Sequence, residues 1–384
     1  MEKIYYLGYY DIPENAQKKR NCVLAATNKM NYIISALEKN GYAVQVISAA
    51  TAKCNKTIPA ERVKIGKQSE LVLFKSFPWG NKLQKILSRF YIRSKLYFAL
   101  SKLKATDTLI AYHAMGYIST LKRLKKRKKF KLILELEEIY SYVTGRKEWL
   151  SKEQSLLPYA DGFLFPTELL DEQMNTQRKP SVIIHGTYQT EPQRMDKHLY
   201  RAQEGWDAHK IHVVYAGNLE ARKGVISSIR SAEFLDERYH LHILGFGSAP
   251  ELERVSEEIK NVTQKTNCKV TFDGLLRGEE YIRFIQGCDI GLSTQNPDAE
   301  YNETSFPSKT LSYIANGLKV VCIRISAIER SAVGKDVYFY NGQTPQEIAK
   351  TIKSVNLDDG KDGREIVQAL DQKFTAEIKE LLEK

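Results

Sequence analysis

The sequence predicts an α/β protein of two doubly wound, Rossmann-like domains with a cleft between them, and three observations carry that expectation. Short apolar runs of strand length alternate with amphipathic stretches of helical period, the pattern of right-handed β-α-β crossovers on a parallel sheet. Glycines recur where those apolar runs end, as in VVYAG and HILGFG. The chain has 384 residues, more than one hydrophobic core usually organises.

The second half reads most plainly. IHVVYAG is a strand, followed by a glycine turn and by Val225, Ile226, Ile229 and Phe234 near helical spacing. YHLHILGFGSAPELERVSEEI repeats the plan, with a helix start at Ser248–Pro250. CKVTFDGLL and CDIGLST are further strands, and FPSKTLSYIANGLKVVCI is a helix ending at Gly317 and then a strand. In the first half KIYYLGYY, YAVQVISA, LVLFKSF, TLIAYHA, FKLILELEEIY, GFLFPT and SVIIHG read as strands, and residues 22–39 as an amphipathic helix ending at Asn40-Gly41. The polar stretch 186–210 lacks periodicity, which places the domains at 1–190 and 191–384, with the last helix able to pack back on the first.

Composition narrows the class. Apolar residues make up 42% and charged residues 27%, ordinary for a globular protein. No run approaches the ~18 apolar residues of a membrane span, and the first residues lack a signal-peptide pattern, so the expected location is the cytoplasm. The five cysteines (Cys22, Cys54, Cys268, Cys288, Cys322) form no close pair, against a disulfide framework or a zinc knuckle. The net charge of +12 is uneven: residues 1–190 hold 32 Lys and Arg against 16 Asp and Glu, and residues 191–384 hold 26 against 30. Residues 81–104 interleave Leu83, Ile86, Leu87, Phe90 and Tyr97 with lysines and arginines, and residues 121–131 are a denser basic cluster. That pattern fits a membrane-surface helix or a core-packed helix with a solvated basic face. No nucleic-acid motif accompanies it.

In parallel sheets ligands bind beyond the carboxyl ends of the strands, so the turns there are where to look. In YAGNLEARKG a strand runs into Gly217 and Asn218, and Arg222 and Lys223 precede Gly224 and a helix. Glycine lets backbone approach a ligand, and cations at a helix start suit a phosphate, although a solvated basic turn has the same composition. In ETSFPSKTLSYIANG, Pro307 suits the first helical position, leaving the N–H groups of Ser308, Lys309 and Thr310 at an open helix start. An ordinary capped helix reads the same way. Gly245 and Gly247 form a Gly-x-Gly turn without the third glycine of a dinucleotide fingerprint.

In order and spacing, these segments together with VTFDG and CDIGLST resemble the donor domain of GT-B glycosyltransferases, family 4 in particular, over residues 210–355. The first half resembles that family more weakly, through LILELEEIY. The resemblance implies retaining, metal-independent transfer of a sugar from a nucleoside diphosphate sugar, a UDP-sugar before a GDP-sugar, with no further cofactor. It implies a diphosphate grip by Lys223, a donor-sugar contact by Glu303, the first glutamate of a paired signature, and a sugar-facing histidine at His113. Ser312 stands where the second glutamate of the signature falls, and Asn218 where an arginine is usual; Lys309 is placed to compensate. With the basic first half, the resemblance implies a lipid-linked saccharide acceptor at the inner face of the plasma membrane, in capsule or other surface-polysaccharide assembly. A non-catalytic partner subunit, a sugar-nucleotide epimerase and a nucleic-acid-binding protein are the rival classes.

Overall fold

The computed structural model describes residues 2–12, 15, 20–296, 302, 304–342 and 344–384. It divides into two units, Met1–Thr187 with Gln372–Lys384, and Tyr188–Asp371. The junction falls at the start of the aperiodic stretch, and the last thirteen residues of the expected second domain belong to the first unit.

The first unit is built on β1 (Lys3–Gly8), β2 (Ala43–Ser48), β3 (Glu61–Ile65), β4 (Ser69–Leu73), β5 (Thr108–Tyr112), β6 (Lys131–Glu135), β7 (Gly162–Phe165) and β8 (Ser181–Ile183). Their order is β3-β4-β2-β1-β5-β6-β7-β8, and every pairing is parallel except β3 with β4. The central strands are continuous apolar runs because helices cover both faces; Leu109–Ala111 and Leu132–Leu134 are fully buried. The antiparallel β3 was not legible in sequence, since ERVKI carries three charges or near-surface positions and too few apolar ones. The Glu38 carboxylate holds its hairpin turn, accepting from the N–H groups of Lys67 (3.1 Å) and Gln68 (2.9 Å) and from Ser69 Oγ (2.6 Å).

The basic segment 81–104 forms the helix Lys82–Leu100, capped by Asn81, whose side chain accepts from Gln84 N–H. Ser88, Ile92, Leu96 and Leu100 are buried at four-residue spacing. A second apolar set, Leu83, Ile86, Leu87, Phe90 and Phe98, faces solvent, with Phe90 67% exposed. The denser cluster 121–131 is the end of the helix Ile118–Lys128, whose Ile118, Leu121 and Leu124 pack into the core. Its Lys125 pairs with Asp161, and Lys129 leaves the helix in the left-handed region.

The C-terminal helix Gly363–Glu383 returns to this unit through buried Phe374, Ile378 and Leu381. Phe374 stacks on Tyr32 with ring centroids 5.5 Å apart. Lys131 Nζ donates to the carbonyls of Leu381 (2.9 Å) and Leu382 (2.8 Å), a cation at the negative helix end.

The second unit contains β9 (Ile211–Asn218), β10 (Tyr239–Phe246), β11 (Lys269–Gly274), β12 (Ile290–Ser293), β13 (Lys319–Ile323) and β14 (Tyr338–Tyr340). They pair in parallel in the order β11-β10-β9-β12-β13-β14. Counted from β9 this is 3-2-1-4-5-6, the doubly wound order, whose direction of winding reverses between β9 and β12. The three-residue β14 is too short for periodicity to reveal. The helix after LGFG begins as expected: Ser248 and Glu251 form a capping box, with Pro250 in the first turn.

Candidate active site

The reversal point of the second sheet, where the strand ends splay apart, is where a ligand can enter. Three segments of this unit meet there: the turn after β9, the residues after β12, and the start of the helix Ser308–Ala315.

The β9 turn is tightly held. Gly217 has φ 149°, and a Cβ there would lie 2.5 Å from Lys309 Cε. Gly245 has φ 154°, and a Cβ on it would lie 1.8 Å from the Gly217 carbonyl oxygen, so the close approach of the two strand ends needs glycine at 245, while glycine at 217 leaves room for Lys309. Tyr215 donates its hydroxyl to the Asn218 carbonyl at 2.6 Å. Asn218 and Glu220 exchange two 2.8 Å hydrogen bonds, Asn218 Nδ2 to Glu220 Oε1 and Glu220 N–H to Asn218 Oδ1. The Thr294 hydroxyl, just past β12, donates to the Lys223 carbonyl at 3.1 Å, and Asn296 N–H donates to the Arg222 carbonyl at 3.1 Å.

Lys309 lies over this turn. Its ammonium is buried, has no hydrogen-bond partner among the described residues, and stands 3.8 Å from the Tyr215 ring centroid. Burial, with the nearby Lys223 charge, pulls its pKa down to about 7. A desolvated cation with only a ring face beneath it lacks the anion that burial of such a group ordinarily demands. An anion with several acceptor oxygens would satisfy it.

The structure sorts the other expected ligands. Lys223 ends a short 3-10 turn, Ala221–Lys223, and the expected helix follows Gly224 directly, over the seven residues Val225–Ser231. Arg222 is exposed and paired with Glu220. Gly247 precedes the Ser248 cap. Pro307 is the N-cap rather than the first helical residue. Ser308 is exposed at the helix start, beside Lys309. Thr310 is turned inward: its N–H donates to the Pro307 carbonyl at 3.1 Å and its hydroxyl to Ser293 Oγ at 3.1 Å, so neither group is left for a ligand. Ser312 shares a hydrogen bond with the Tyr281 phenol. Glu303 lies outside the described residues. Sequence reasoning passed over Tyr215, inside β9, and Thr294, the end of CDIGLST; only Thr294, just past a strand end, carried a signal that could have found it.

His113 belongs to the first unit, at the end of β5, beside the point where that sheet also reverses, between β1 and β5. It is 2% exposed, stacks on Tyr140 (5.4 Å between centroids), and its Nδ1 lies 3.5 Å from Glu153 Oε1. Glu153, itself buried, accepts from the N–H groups of Tyr140 (2.9 Å) and Ser141 (3.5 Å) at the start of the helix Tyr140–Thr144. Burial lowers the His113 pKa to about 4, so the ring is neutral at pH 7. Glu135 is fully buried and accepts from the Tyr6 hydroxyl; burial first, then the Glu137 charge, raises its pKa to about 8. Glu137 pairs with Lys29 at 2.6 Å.

Comparison with solved structures shows the fold. The chain is similar over 100% of its length, and 99% of the other's, to a structure described as trehalose-6-phosphate from E. coli bound with UDP-2-fluoro glucose, at 11% identity and TM-score 0.67. A sucrose-phosphate synthase from Thermosynechococcus elongatus matches over 99% of this chain and 98% of that one, at 14% identity and TM-score 0.66. A UDP-forming trehalose-phosphate synthase from Burkholderia xenovorans matches over 100% and 99%, at 10% identity and TM-score 0.67. The architecture is therefore that of two-domain GT-B proteins. Residues 210–359, within the unit that carries Lys309 and the Gly217 turn, match the family model described as Glycosyl transferases group 1. No curated protein matches the sequence.

Proposed function

We propose that the chain transfers a sugar from a nucleoside diphosphate sugar, a UDP-sugar first, to an acceptor, with retention of configuration and without a metal ion at the reacting diphosphate. The observation that carries this reading is the buried Lys309 ammonium, without a hydrogen-bond partner among the described residues, against the Gly217 turn at the sheet reversal of the segment that matches the glycosyl transferase model. As the bond from sugar to diphosphate breaks, negative charge grows on the leaving phosphate. Lys309, with Lys223 close by and the open N–H groups of Ser308 and Lys309, stabilises that charge in a site that excludes water. Glu303 and His113 are the proposed donor-sugar contacts. His113 is neutral, so it offers the sugar a hydrogen bond rather than a charge.

The acceptor is proposed to be a lipid-linked saccharide. The support is the helix Lys82–Leu100, whose exposed Leu83, Ile86, Leu87 and Phe90 stand among Lys82, Lys85, Arg89 and Arg93, the pattern of a helix lying in an anionic bilayer surface. On this reading the protein works at the inner face of the plasma membrane in surface-polysaccharide assembly.

Stabilisation against heat by UDP, GDP, ADP and CMP tests the donor class, since a ligand at 100 times its dissociation constant adds about 2.7 kcal/mol. Release of UDP from a UDP-sugar in EDTA, with Lys223→Ala and Lys309→Ala reduced ~100–1,000-fold, tests the chemistry. Activity that needs manganese at the donor overturns it.

A further inference from the structure

At the opposite end of the second sheet from Gly217, three histidines share one face. In parallel register His240 of β10 lies beside His212 of β9, and His242 lies two residues on, next to Thr271 of β11. All three are buried, and one ring nitrogen from each lies within 4.8 Å of one from each of the others. None of these residues belongs to the proposed donor site.

The outer hydrogen bonds fix which ring nitrogens carry the hydrogen and which are lone pairs. His212 Nε2 meets the Asp207 carbonyl at 3.0 Å, and a carbonyl only accepts, so this nitrogen carries the hydrogen. His242 Nδ1 meets Asp273 Oδ2 at 3.2 Å, and a carboxylate likewise only accepts. Both remaining nitrogens, His212 Nδ1 and His242 Nε2, are therefore lone pairs, and they point at each other across 2.9 Å. His240 Nε2 meets Thr271 Oγ1 at 3.0 Å, while that hydroxyl donates to Asp273 Oδ2 at 2.9 Å; the His240 hydrogen is thus on Nε2 and its Nδ1 is bare. Two opposed lone pairs in a dry site repel unless a cation lies between them.

The surroundings suit a metal rather than a loose proton site. Trp206 stacks on His212 (4.7 Å) and on His242 (4.2 Å), and Phe284 sets its edge against His242 (5.2 Å), so the ring planes are held. A carboxylate behind one histidine and a carbonyl behind another are the usual partners of metal-bound imidazole, which they orient and make more basic. We infer that His212, His240 and His242 form a structural site for a zinc-class divalent cation, supported by Asp273 and Asp207. Imidazole nitrogens bind zinc at about 2.0–2.1 Å, which in tetrahedral geometry separates them by about 3.3 Å; His212 and His242 need to part by about 0.4 Å. A fourth ligand from water completes the shell.

The test uses the full chain, stripped with a chelator and freed of it, then titrated with Zn²⁺ by calorimetry and with Co²⁺ by visible absorption. One equivalent of Zn²⁺ is expected, and Co²⁺ should give the intense bands of tetrahedral coordination. His242→Gln should weaken binding at least tenfold. Asp273→Asn, which removes no ligand and protects the test against a misfolded histidine variant, should weaken it by ~10–100-fold. The exposed pair His198→Ala/His209→Ala should leave it unchanged. Zinc uptake that disappears with His198 and His209, or that survives both His242→Gln and Asp273→Asn, overturns the site. So does absence of saturable uptake together with a nitrogen NMR signal of an imidazolium shared between His212 and His242, which would show that a proton fills the gap.

Discussion

With the donor placed as proposed, Lys309 makes its binding a proton-linked event. In the free protein its pKa is about 7, so at pH 7 roughly half the molecules carry a neutral amine. A diphosphate beside the Nζ restores the charged form, since an opposite charge at contact distance raises an amine pKa. Binding should then take up about half a proton at pH 7 and about nine-tenths at pH 8. Affinity should fall about fivefold between pH 7 and pH 8, and approach tenfold per unit above that. This range lies above the last ionisation of a phosphate, near 6, so the nucleotide contributes little. The assay is calorimetric titration of UDP in buffers of different ionisation enthalpy, with Lys309→Met as control. Met fills the same slot over Tyr215 without an amine, so the variant should melt no lower than wild type, bind UDP weakly and take up no proton. Uptake near zero in wild type at both pH values, or equal uptake in Lys309→Met, would refute the reasoning.

Three further outcomes follow from the same geometry. Gly217→Ala should expel the Lys309 side chain, because its Cβ would sit 2.5 Å from Lys309 Cε, and strain the backbone at φ 149°; UDP-induced stabilisation should be lost and the free protein destabilised by about 1 kcal/mol or more, read by thermal melting. His113 and His185 are buried with pKa values near 4, His113 beside Glu153 and Tyr140, and His185 between Glu168, Lys29 and Lys373. Their folded pKa values lie below the unfolded value of 6.5, so the unfolded chain binds more protons between pH 6.5 and 4 and stability falls as pH drops through that window. Each contributes about 1.4 kcal/mol of loss by pH 5.5, and chemical denaturation at pH 7 and 5.5, with His185→Gln flattening the slope, checks it. Leu87→Glu with Phe90→Glu should abolish flotation with anionic vesicles while leaving the fold intact, because both side chains are exposed; flotation that persists would reject the lipid-facing role of this helix.

The strands β9 and β10 were legible because they are buried on both faces and reach glycine near their ends, which leaves both an apolar run and a punctuation mark. The alternating, partly charged β3 and the three-residue β14 left neither. Among the residues of the proposed site, Gly217, Lys223 and Lys309 stood out from composition at a strand end and helix start. The roles of Thr310 and Ser312 were not, because whether a hydroxyl faces a ligand, Ser293 or Tyr281 depends on helix rotation, and one residue turns a helix by a quarter circle or more. Lys125 shows the same limit for charge. It stands in a dense basic run, yet it pairs with Asp161, a residue distant in sequence. The meeting of His212 with His242 was equally hidden, since only strand register brings residues thirty apart side by side.

Backbone hydrogen–deuterium exchange with and without saturating UDP tests the central claim most directly, because it locates the nucleotide without relying on any variant. The account predicts protection confined to the second unit, over residues 216–224 and 305–312, at the reversal point between β9 and β12. Protection elsewhere with those two segments unchanged would contradict it.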